Sequence, residues 1–118
     1  MKQDVELFRK IMVTIEDAKE AVPFLKIDGY TNEQILYHCR CLEEAGYIQT
    51  VNPVFGDSRV PEIEAGNITM SGMRFLDEIR DESSWKKLKK KLADNNLMFS
   101  TLTQLIQSLS IIAPSLFK

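Results

Sequence analysis

Five lysines stand within a run of six residues that directly follows Trp85. They are Lys86, Lys87, Lys89, Lys90 and Lys91. Clustered ammonium groups can neutralise phosphates or attract an acidic partner. Acidic residues at 77, 78, 81 and 82 lie close in the sequence and offset part of this charge. The run therefore predicts phosphate contacts, with the solvated face of a surface helix as the alternative.

The segment 31–45 is a candidate recognition helix. Apolar residues share one of its faces at helical spacing, and polar side chains cover the opposite face. Base edges in the major groove of DNA are read by Arg, Lys, Asn and Gln side chains. The candidate nucleic-acid contacts are Asn32, Gln34, Tyr37 and Arg40, with Tyr37 on a phosphate. Because Glu33 and Glu44 would repel phosphate, a structural helix with a solvated face is the alternative.

No group of residues has the types and spacing of a catalytic site. The sequence contains no glycine-rich phosphate loop, metal-ligand cluster or catalytic triad. Cys39 and Cys41 would point about 200° apart on a helix, so they cannot bridge each other. We interpret His38 as hydrogen-bonded and partly buried, since no second metal ligand lies at helical spacing. The sequence therefore predicts a protein that is not an enzyme and that uses no cofactor, metal or small-molecule ligand.

Leucine and isoleucine residues recur at intervals of three and four near the C-terminus. They are Leu102, Leu105, Leu109, Ile112 and Leu116. This spacing is typical of a coiled-coil or dimer seam. Pro114 interrupts the seam, and the same face could instead fold back over the domain. Because such an apolar surface must be covered, and many winged-helix proteins dimerise through terminal helices, we expect a homodimer with these residues at its interface.

Apolar periodicity predicts five helices that carry these residues. The expected ranges are 4–19, 31–45, 70–81, 83–93 and 100–112. The side-chain oxygen of an N-cap residue can accept a hydrogen bond from the first turn. The expected N-caps are Asp4, Thr31 with Asp28 and Asn32 as rivals, Thr69, and either Ser83 or Ser84. Gly46 is expected to end the second helix in the left-handed conformation.

Short segments between the helices are typical of β-strands. Residues 24–27 form one candidate, and 47–51 alternate in polarity and contain β-favouring side chains. A return strand within 62–68 would complete a hairpin. The order helix, short strand, helix and hairpin predicts an α+β winged-helix-like domain with additional C-terminal helices. The loop 52–66 would be the wing, but it carries three carboxylates beside Arg59, which makes it a poor DNA arm.

The composition is that of one globular domain. The chain has 118 residues, of which 44% are hydrophobic and 27% charged, enough to bury one core. We assign 1–82 to the winged-helix-like domain and 83–118 to a helical extension that packs on it or forms a dimer interface. The net charge of −2 excludes binding to nucleic acid through bulk charge but permits a local basic face.

Several features favour a cytoplasmic protein. The N-terminus has no signal-peptide pattern. The longest uncharged stretch, 95–117, is interrupted by polar residues and proline, so no membrane span is predicted. Unpaired cysteines suit a reducing compartment.

Three segments together resemble a known family. The segments are IDGYTNEQILYHCRCLEEAGYI at 27–48, ITMSGMRFLDEIRDESSWKKLKKKL at 68–92 and the opening Asp4-x-x-Leu7-x-Arg9-Lys10-Ile11. The most specific parts are Tyr37-His38 and Thr69-x-x-Gly72-x-x-Phe75-Leu76-Asp77. The chain resembles a family of short, uncharacterised bacterial and prophage proteins, catalogued as a domain of unknown function and similar to YjcQ-like winged-helix proteins. The resemblance implies a winged-helix fold and brings no activity, substrate or catalytic residue.

Two functions are compatible with these features. The first is a nucleic-acid-binding protein, such as a prophage-type transcriptional regulator, that contacts double-stranded DNA through the helix 31–45 and the lysine run. The second is a protein-interaction module that uses the same scaffold and the apolar C-terminal helix without binding DNA. Steep loss of binding with salt would indicate the first function, and salt-insensitive capture of a partner through the tail would indicate the second.

Overall fold

The structure, a computed structural model, describes residues 2–18, 26–49 and 68–113. These three ranges contain five α-helices, numbered α1 to α5 in chain order. Their bounds are α1 Val5–Asp17, α2 Asn32–Glu44, α3 Met70–Ile79, α4 Glu82–Asp94 and α5 Leu102–Ile112. The prediction of five helices is confirmed, with shifts of one or two residues at their ends.

The predicted α+β winged-helix-like fold is wrong. Within the described ranges no strand forms, and the β-type pairing there is one isolated antiparallel bridge between Ile48 and Ile68. Lys26 and Ile27, the described end of the first expected strand, have no strand structure and lead into a turn. The expected wing at 52–66 lies outside the described residues. The described part of the chain is all-helical.

Tyr47 shows why the described start of the second expected strand, 47–49, does not pair as one. Its backbone N–H donates to the carbonyl of Leu42 in the last turn of α2, at 2.9 Å. Its carbonyl accepts from the backbone N–H of Thr69, just before α3, at 3.0 Å. The β-favouring side chains predicted a strand, but such preferences depend on context. Here the N–H of Tyr47 is taken by the end of α2, which needs partners for its last carbonyls, and the bond from Thr69 to the Tyr47 carbonyl belongs to the single bridge between Ile48 and Ile68.

Each helix follows a residue whose side-chain oxygen accepts a hydrogen bond from a backbone N–H of the first turn. These N-caps are Asp4, Thr31, Thr69, Asp81 and Thr101. At the start of α2, the Gln34 side chain also accepts from the backbone N–H of Thr31 at 2.8 Å, which completes a capping box. The predicted caps Asp4, Thr31 and Thr69 are confirmed.

The predicted cap of α4 is wrong, because Asp81 takes that position. Its Oδ2 atom accepts from the hydroxyl of Ser83 at 2.6 Å, and from the hydroxyl and backbone N–H of Ser84, both at 3.1 Å. These bonds, the one from Ser83 first, lower the pKa of Asp81. A carboxylate near a helix N-terminus also interacts favourably with the helix dipole. The two serines therefore support the cap instead of forming it.

The hydrophobic core is organised around α1. Helices α2, α3 and α5 pack against α1, and α4 packs against α3 and α5. Burial of a large apolar side chain contributes roughly 1.5–3 kcal/mol relative to exposure. The completely buried side chains of α1 are Leu7, Phe8, Ile11, Met12 and Ile15.

Helices α4 and α5 belong to the same core. Trp85 and Leu92 of α4 are buried, together with Leu102, Leu105 and Leu109 of α5. The described part of the expected C-terminal extension therefore shares its core with the first three helices.

Two arginines attach the end of α3 to α1. Arg9 donates from Nε to the carbonyl of Ile79 and from Nη2 to the carbonyl of Arg80, both at 2.7 Å. A cation near a helix C-terminus satisfies free carbonyls and interacts favourably with the helix dipole. Arg80 in turn donates two hydrogen bonds of 2.6 Å to the carboxylate of Glu16. These bonds fix the position of α3 along α1.

The start of α3 approaches the chain after α2 most closely at Gly72. A Cβ atom added there would lie 2.0 Å from the backbone carbonyl oxygen of Tyr47, which leaves room for glycine alone. Gly46 has a different role. It has a positive φ of 80° and open space around its Cα, as expected for the residue that ends α2.

We expect Gly72→Ala to lower the free energy of unfolding by about 3 kcal/mol, because the methyl group would force two backbone segments apart. Urea denaturation followed by circular dichroism would measure the loss. Gly46→Ala is the matched control, since its methyl group meets no atom and its left-handed backbone costs about 1 kcal/mol. Equal losses in the two variants would contradict the close approach at Gly72.

Candidate functional site

The lysine run lies along α4, and its lysines project from two different sides of the helix. Trp85 and Leu92 face the core, and the half-buried Lys89 lies on the same side. The exposed lysines are Lys86, Lys87, Lys90 and Lys91. Four of the five lysines predicted to contact phosphate are therefore open to solvent, and the fifth is turned inward.

Glu6 of α1 holds the inward side of α4. Its carboxylate accepts from the indole Nε1 of Trp85 at 2.9 and 3.1 Å and from Nζ of Lys89 at 2.5 Å. The Lys89 ammonium also lies 5.3 Å from the centroid of the Trp85 ring, within range of a cation–π contact. Burial opposes ionisation, but the hydrogen bonds from Lys89 and Trp85 outweigh it and lower the pKa of Glu6. We call these three residues the Glu6 clamp, and they set the rotation of α4.

The outward side of α4 carries little compensating charge. Lys86 lies 3.7 Å from Glu82, and both side chains are more than 70% exposed, so this pair contributes little. Lys87, Lys90 and Lys91 form no ion pair with any residue that the structure describes. The outward lysines therefore keep most of their charge available for a ligand.

Two of the acidic residues expected to balance the run have other partners. Asp77 pairs with Arg80 at 2.8 Å, and Asp81 caps α4. Both carboxylates therefore bond to groups other than the lysines. The alternative interpretation of the run, a face neutralised by its neighbours, loses part of its support.

Helix α2 presents its predicted contacts beside carboxylates. Asn32 and Arg40 are exposed, and Gln34 and Tyr37 are half-buried. The Oε1 atom of Gln34 is held in the capping box. Glu33 and Glu44 are exposed and share the outward face with Arg40 by helical periodicity. With two carboxylates for one guanidinium, this face is less suited to phosphate than α4.

The two predicted contact surfaces, on α2 and on α4, lie on helices that do not pack against each other. Helix α2 packs against α1, whereas α4 packs against α3 and α5. Helices α2 and α4 make no extensive contact with each other. The two surfaces must therefore be judged separately, and the outward side of α4 is the more cationic.

His38 is buried, and both of its ring nitrogens have protein partners. Nδ1 donates to the carbonyl of Gln34 at 2.7 Å, and Nε2 accepts from the backbone N–H of Asp4 at 2.9 Å. A ring that accepts at Nε2 is neutral. Burial lowers the pKa of His38 and outweighs the hydrogen bond to Gln34. The predicted hydrogen-bonded histidine is confirmed, and its burial is more complete than expected.

Asp4 connects α1, α2 and the turn before α2. Its Oδ1 atom accepts from the backbone N–H of Glu6 as the cap of α1, and its Oδ2 atom accepts from the hydroxyl of Tyr30, both at 2.9 Å. Burial and the bond to Asp4 raise the pKa of Tyr30 to about 12. The sequence predicted the cap alone, because Tyr30 and His38 lie 26 and 34 residues away in the chain.

The two cysteines are poor nucleophiles. Cys39 is buried and Cys41 is partly buried. Burial raises the pKa of Cys39 to about 12 and also raises the pKa of Cys41. Since the thiolate is the reactive form, burial disfavours the reaction of both thiols near neutral pH.

Residues 2–18, 26–49 and 68–113 contain neither a metal-ligand cluster nor a membrane span. No group of His, Cys, Asp and Glu residues there could hold a metal ion. No helix there combines the length and apolar character needed to cross a bilayer.

The predicted dimer seam lies mostly inside the core of the same chain. Leu102, Leu105 and Leu109 are buried, and Ile112 is half-buried at the edge. Leu116 lies outside the described residues. Helix α5 packs against α1 and α4, which is the folding back over the domain that the spacing left open. A dimer interface would therefore have to use other residues, or a rearranged α5.

Residues 2–98 match the family described as hypothetical protein (DUF2513). The chain belongs to this family. The match includes α1 to α4, with both the Glu6 clamp and the outward lysines. The prediction of a domain-of-unknown-function family is confirmed, whereas the similarity to YjcQ-like proteins stays a prediction.

A relative in Haemophilus influenzae is similar to this chain over most of its length. It is 30% identical over 103 residues, which are 85% of this chain and 86% of the relative. Its name, "Uncharacterized protein", assigns it no activity. No solved structure matches the chain. The function must therefore be argued from the geometry of the side chains.

We expect the free energy of unfolding to fall as the pH drops below about 6.5, because His38 is neutral in the fold and protonates more readily once unfolded. This contribution is fully present above pH 6.5 and is lost between that value and the lowered pKa of His38. The slope reaches at most about 1.4 kcal/mol per pH unit. Urea denaturation between pH 7.5 and 5 would measure it.

The control for this pH dependence is His38→Gln, which should remove the slope over the same range. The chain has one histidine, so its ring signals in an NMR titration are unambiguous even if that variant folds poorly. A His38 pKa at or above 6.5 in the folded protein would contradict the expectation.

Proposed function

We propose that this chain binds nucleic acid by its phosphate backbone through the outward lysines of α4. The observation that supports this function is the set of exposed ammonium groups at 86, 87, 90 and 91, of which the last three form no ion pair with a described residue. Lysine binds phosphate as a point charge. Since each phosphate contact releases counterions, a local cluster can bind although the net charge is −2.

Helical spacing arranges these lysines along a line that a phosphate backbone can follow. Lys86 and Lys90 are one helical turn apart, and so are Lys87 and Lys91, which corresponds to about 6 Å along the axis. A DNA strand carries a phosphate about every 3.4 Å of duplex length. The long lysine side chains can therefore reach different phosphates of one strand.

This surface favours binding without strong base preference. Phosphate contacts position a protein on DNA, whereas contacts to base edges provide sequence specificity. Helix α4 contains no Arg, Asn or Gln side chain to read a base edge, and its lysines bind chiefly as point charges. Double-stranded DNA is the ligand we propose, and a role as a prophage-type regulator stays a prediction.

The outward face of α2 has less to support it as a DNA contact. Glu33 and Glu44 flank Arg40 there, and phosphate would approach both carboxylates as well as the guanidinium. We therefore expect Arg40→Gln to change the affinity for DNA much less than neutralisation of the α4 lysines.

We expect the combined substitution Lys87→Gln, Lys90→Gln and Lys91→Gln to weaken binding to a mixed-sequence duplex at least about tenfold at low salt. Four phosphate contacts predict that log K falls with log salt with a slope of about −3.6, and the loss of three contacts should reduce it to about −0.9. Fluorescence anisotropy at several salt concentrations would measure both effects.

The matched control is the combined substitution Lys2→Gln, Lys10→Gln and Lys26→Gln, which changes the net charge equally at three exposed lysines outside α4. It should leave the slope close to that of the unmodified protein. Equal weakening in both triple variants would show that bulk charge and not the α4 surface is responsible. No binding of the unmodified protein at low salt would contradict the proposed function.

A protein-interaction module is the second candidate. The exposed lysines of α4 favour it too, with an acidic protein as the partner. The outward lysines are complementary to an acidic protein surface as well as to phosphate. Partner binding through the apolar face of α5 has less support, because the leucines of the predicted seam are buried. Polyglutamate that displaces DNA at equal charge concentration would favour the acidic-protein function over the nucleic-acid function.

A further inference from the structure

A groove opens where the C-terminal end of α2 faces α3 and α5. Its volume is about 730 Å³, within the usual range for small-molecule sites. Helices α2, α3 and α5 each pack against α1 but make no extensive contact with one another. The groove is the space that this arrangement leaves between them.

The floor of the groove is apolar and firmly held. The rings of Tyr47 and Phe75 stack there, with centroids 4.8 Å apart and planes inclined by 19°. Both residues are buried parts of the core. Ile106 of α5 is half-buried and adds accessible aliphatic surface. A ring or a short aliphatic chain could bury its surface against this floor.

Hydrogen-bond donors surround the floor. The Oε1 atom of Gln3 accepts from the backbone N–H of Leu102 at 2.8 Å, which fixes the amide and leaves its NH₂ group as a donor. Arg74 lines the groove with a guanidinium. It already interacts within the protein, but its five N–H donors allow it to bind a further acceptor. Ser71 and Thr103 add hydroxyl groups.

Among the described residues that line the groove, Glu44 on the wall formed by α2 supplies the one carboxylate. It disfavours a ligand with several negative charges, because a second anionic group would lie near it. The donors on the other walls still favour one acceptor group on the ligand. Together these walls select for a single acidic group.

We propose that this groove binds a small organic molecule with one carboxylate and an apolar body. The carboxylate accepts hydrogen bonds from Arg74 and Gln3, and the apolar body lies against Phe75 and Ile106. None of the α4 lysines lines the groove. This site is therefore independent of the proposed DNA surface, and either proposal can fail without the other.

Hexanoate, hexanol and hexylamine test the proposal, since they share one aliphatic chain and differ in the polar group. Chemical-shift changes in the full-length protein, followed by NMR, would give the dissociation constant of each. We expect hexanoate to bind at least about tenfold more tightly than the other two, as a charge-assisted pair with Arg74 implies. Equal binding of the three, tighter binding of hexylamine, or no binding would overturn the proposal.

Substitutions on the wall separate the acidic contact from apolar binding. Arg74→Gln should weaken hexanoate about tenfold and leave hexanol unchanged, while Arg40→Gln, outside the groove, should change neither. Thr103 is exposed, so Thr103→Glu should weaken hexanoate without disturbing the fold, and Thr103→Gln is its control. Unchanged hexanoate binding in both Arg74→Gln and Thr103→Glu would overturn the proposal.

Cys41 provides a reporter inside the groove. Its partly buried thiol lines the groove, whereas Cys39 is buried in the core. Hexanoate should slow the modification of Cys41 by a neutral disulfide reagent at mildly alkaline pH, as followed by mass spectrometry, and leave Cys39 unchanged. Full reactivity of Cys41 at saturating hexanoate would place the ligand elsewhere and overturn the proposal.

Discussion

Every other helix is held either by α1 or by a helix that contacts α1. The apolar face of α1 is completely buried, and this burial stabilises the fold. Because the hydrophobic effect is non-directional, burial alone does not fix how the helices are oriented. Direction comes from the polar edge of the same helix. Asp4 bonds to residues in and before α2, Glu6 to α4, and Arg9 to the end of α3. Hydrogen bonds need defined angles and distances, so the bonds of these three residues set how the neighbouring helices are rotated.

The Glu6 clamp shows how such a contact shapes the surface. By holding Lys89 and Trp85 inward, Glu6 turns the remaining lysines of α4 away from the core. The carboxylates of α2 lie on a different helix that makes no extensive contact with α4. A chain whose charges nearly cancel in sum can therefore still present one cationic surface. Net charge is thus a poor guide to ligand preference here, and the distribution of charge over separate helices is a better one.

Local signals were sufficient to predict the helices, because apolar spacing and caps such as Thr31 and Thr69 act within one or two turns. The described part of the strand expected at 47–51 does not form, because the N–H of Tyr47 bonds to the end of α2 and a single bridge joins Ile48 to Ile68, which no local pattern reveals. The five lysines could be found from composition, but the inward position of Lys89 depends on Glu6, 83 residues away in the chain. The groove also depends on residues that are distant in the sequence. It lies between three helices that pack on α1 but not on one another, so no local pattern predicts it.

The bridge between Ile48 and Ile68 has a consequence for how this family can vary in evolution. It places Ile48, which follows α2, beside Ile68, which precedes α3. The entropy of closing a loop changes slowly with length, by about 0.6 kcal/mol for each doubling. In closure entropy alone, insertions and deletions between these two isoleucines therefore cost little.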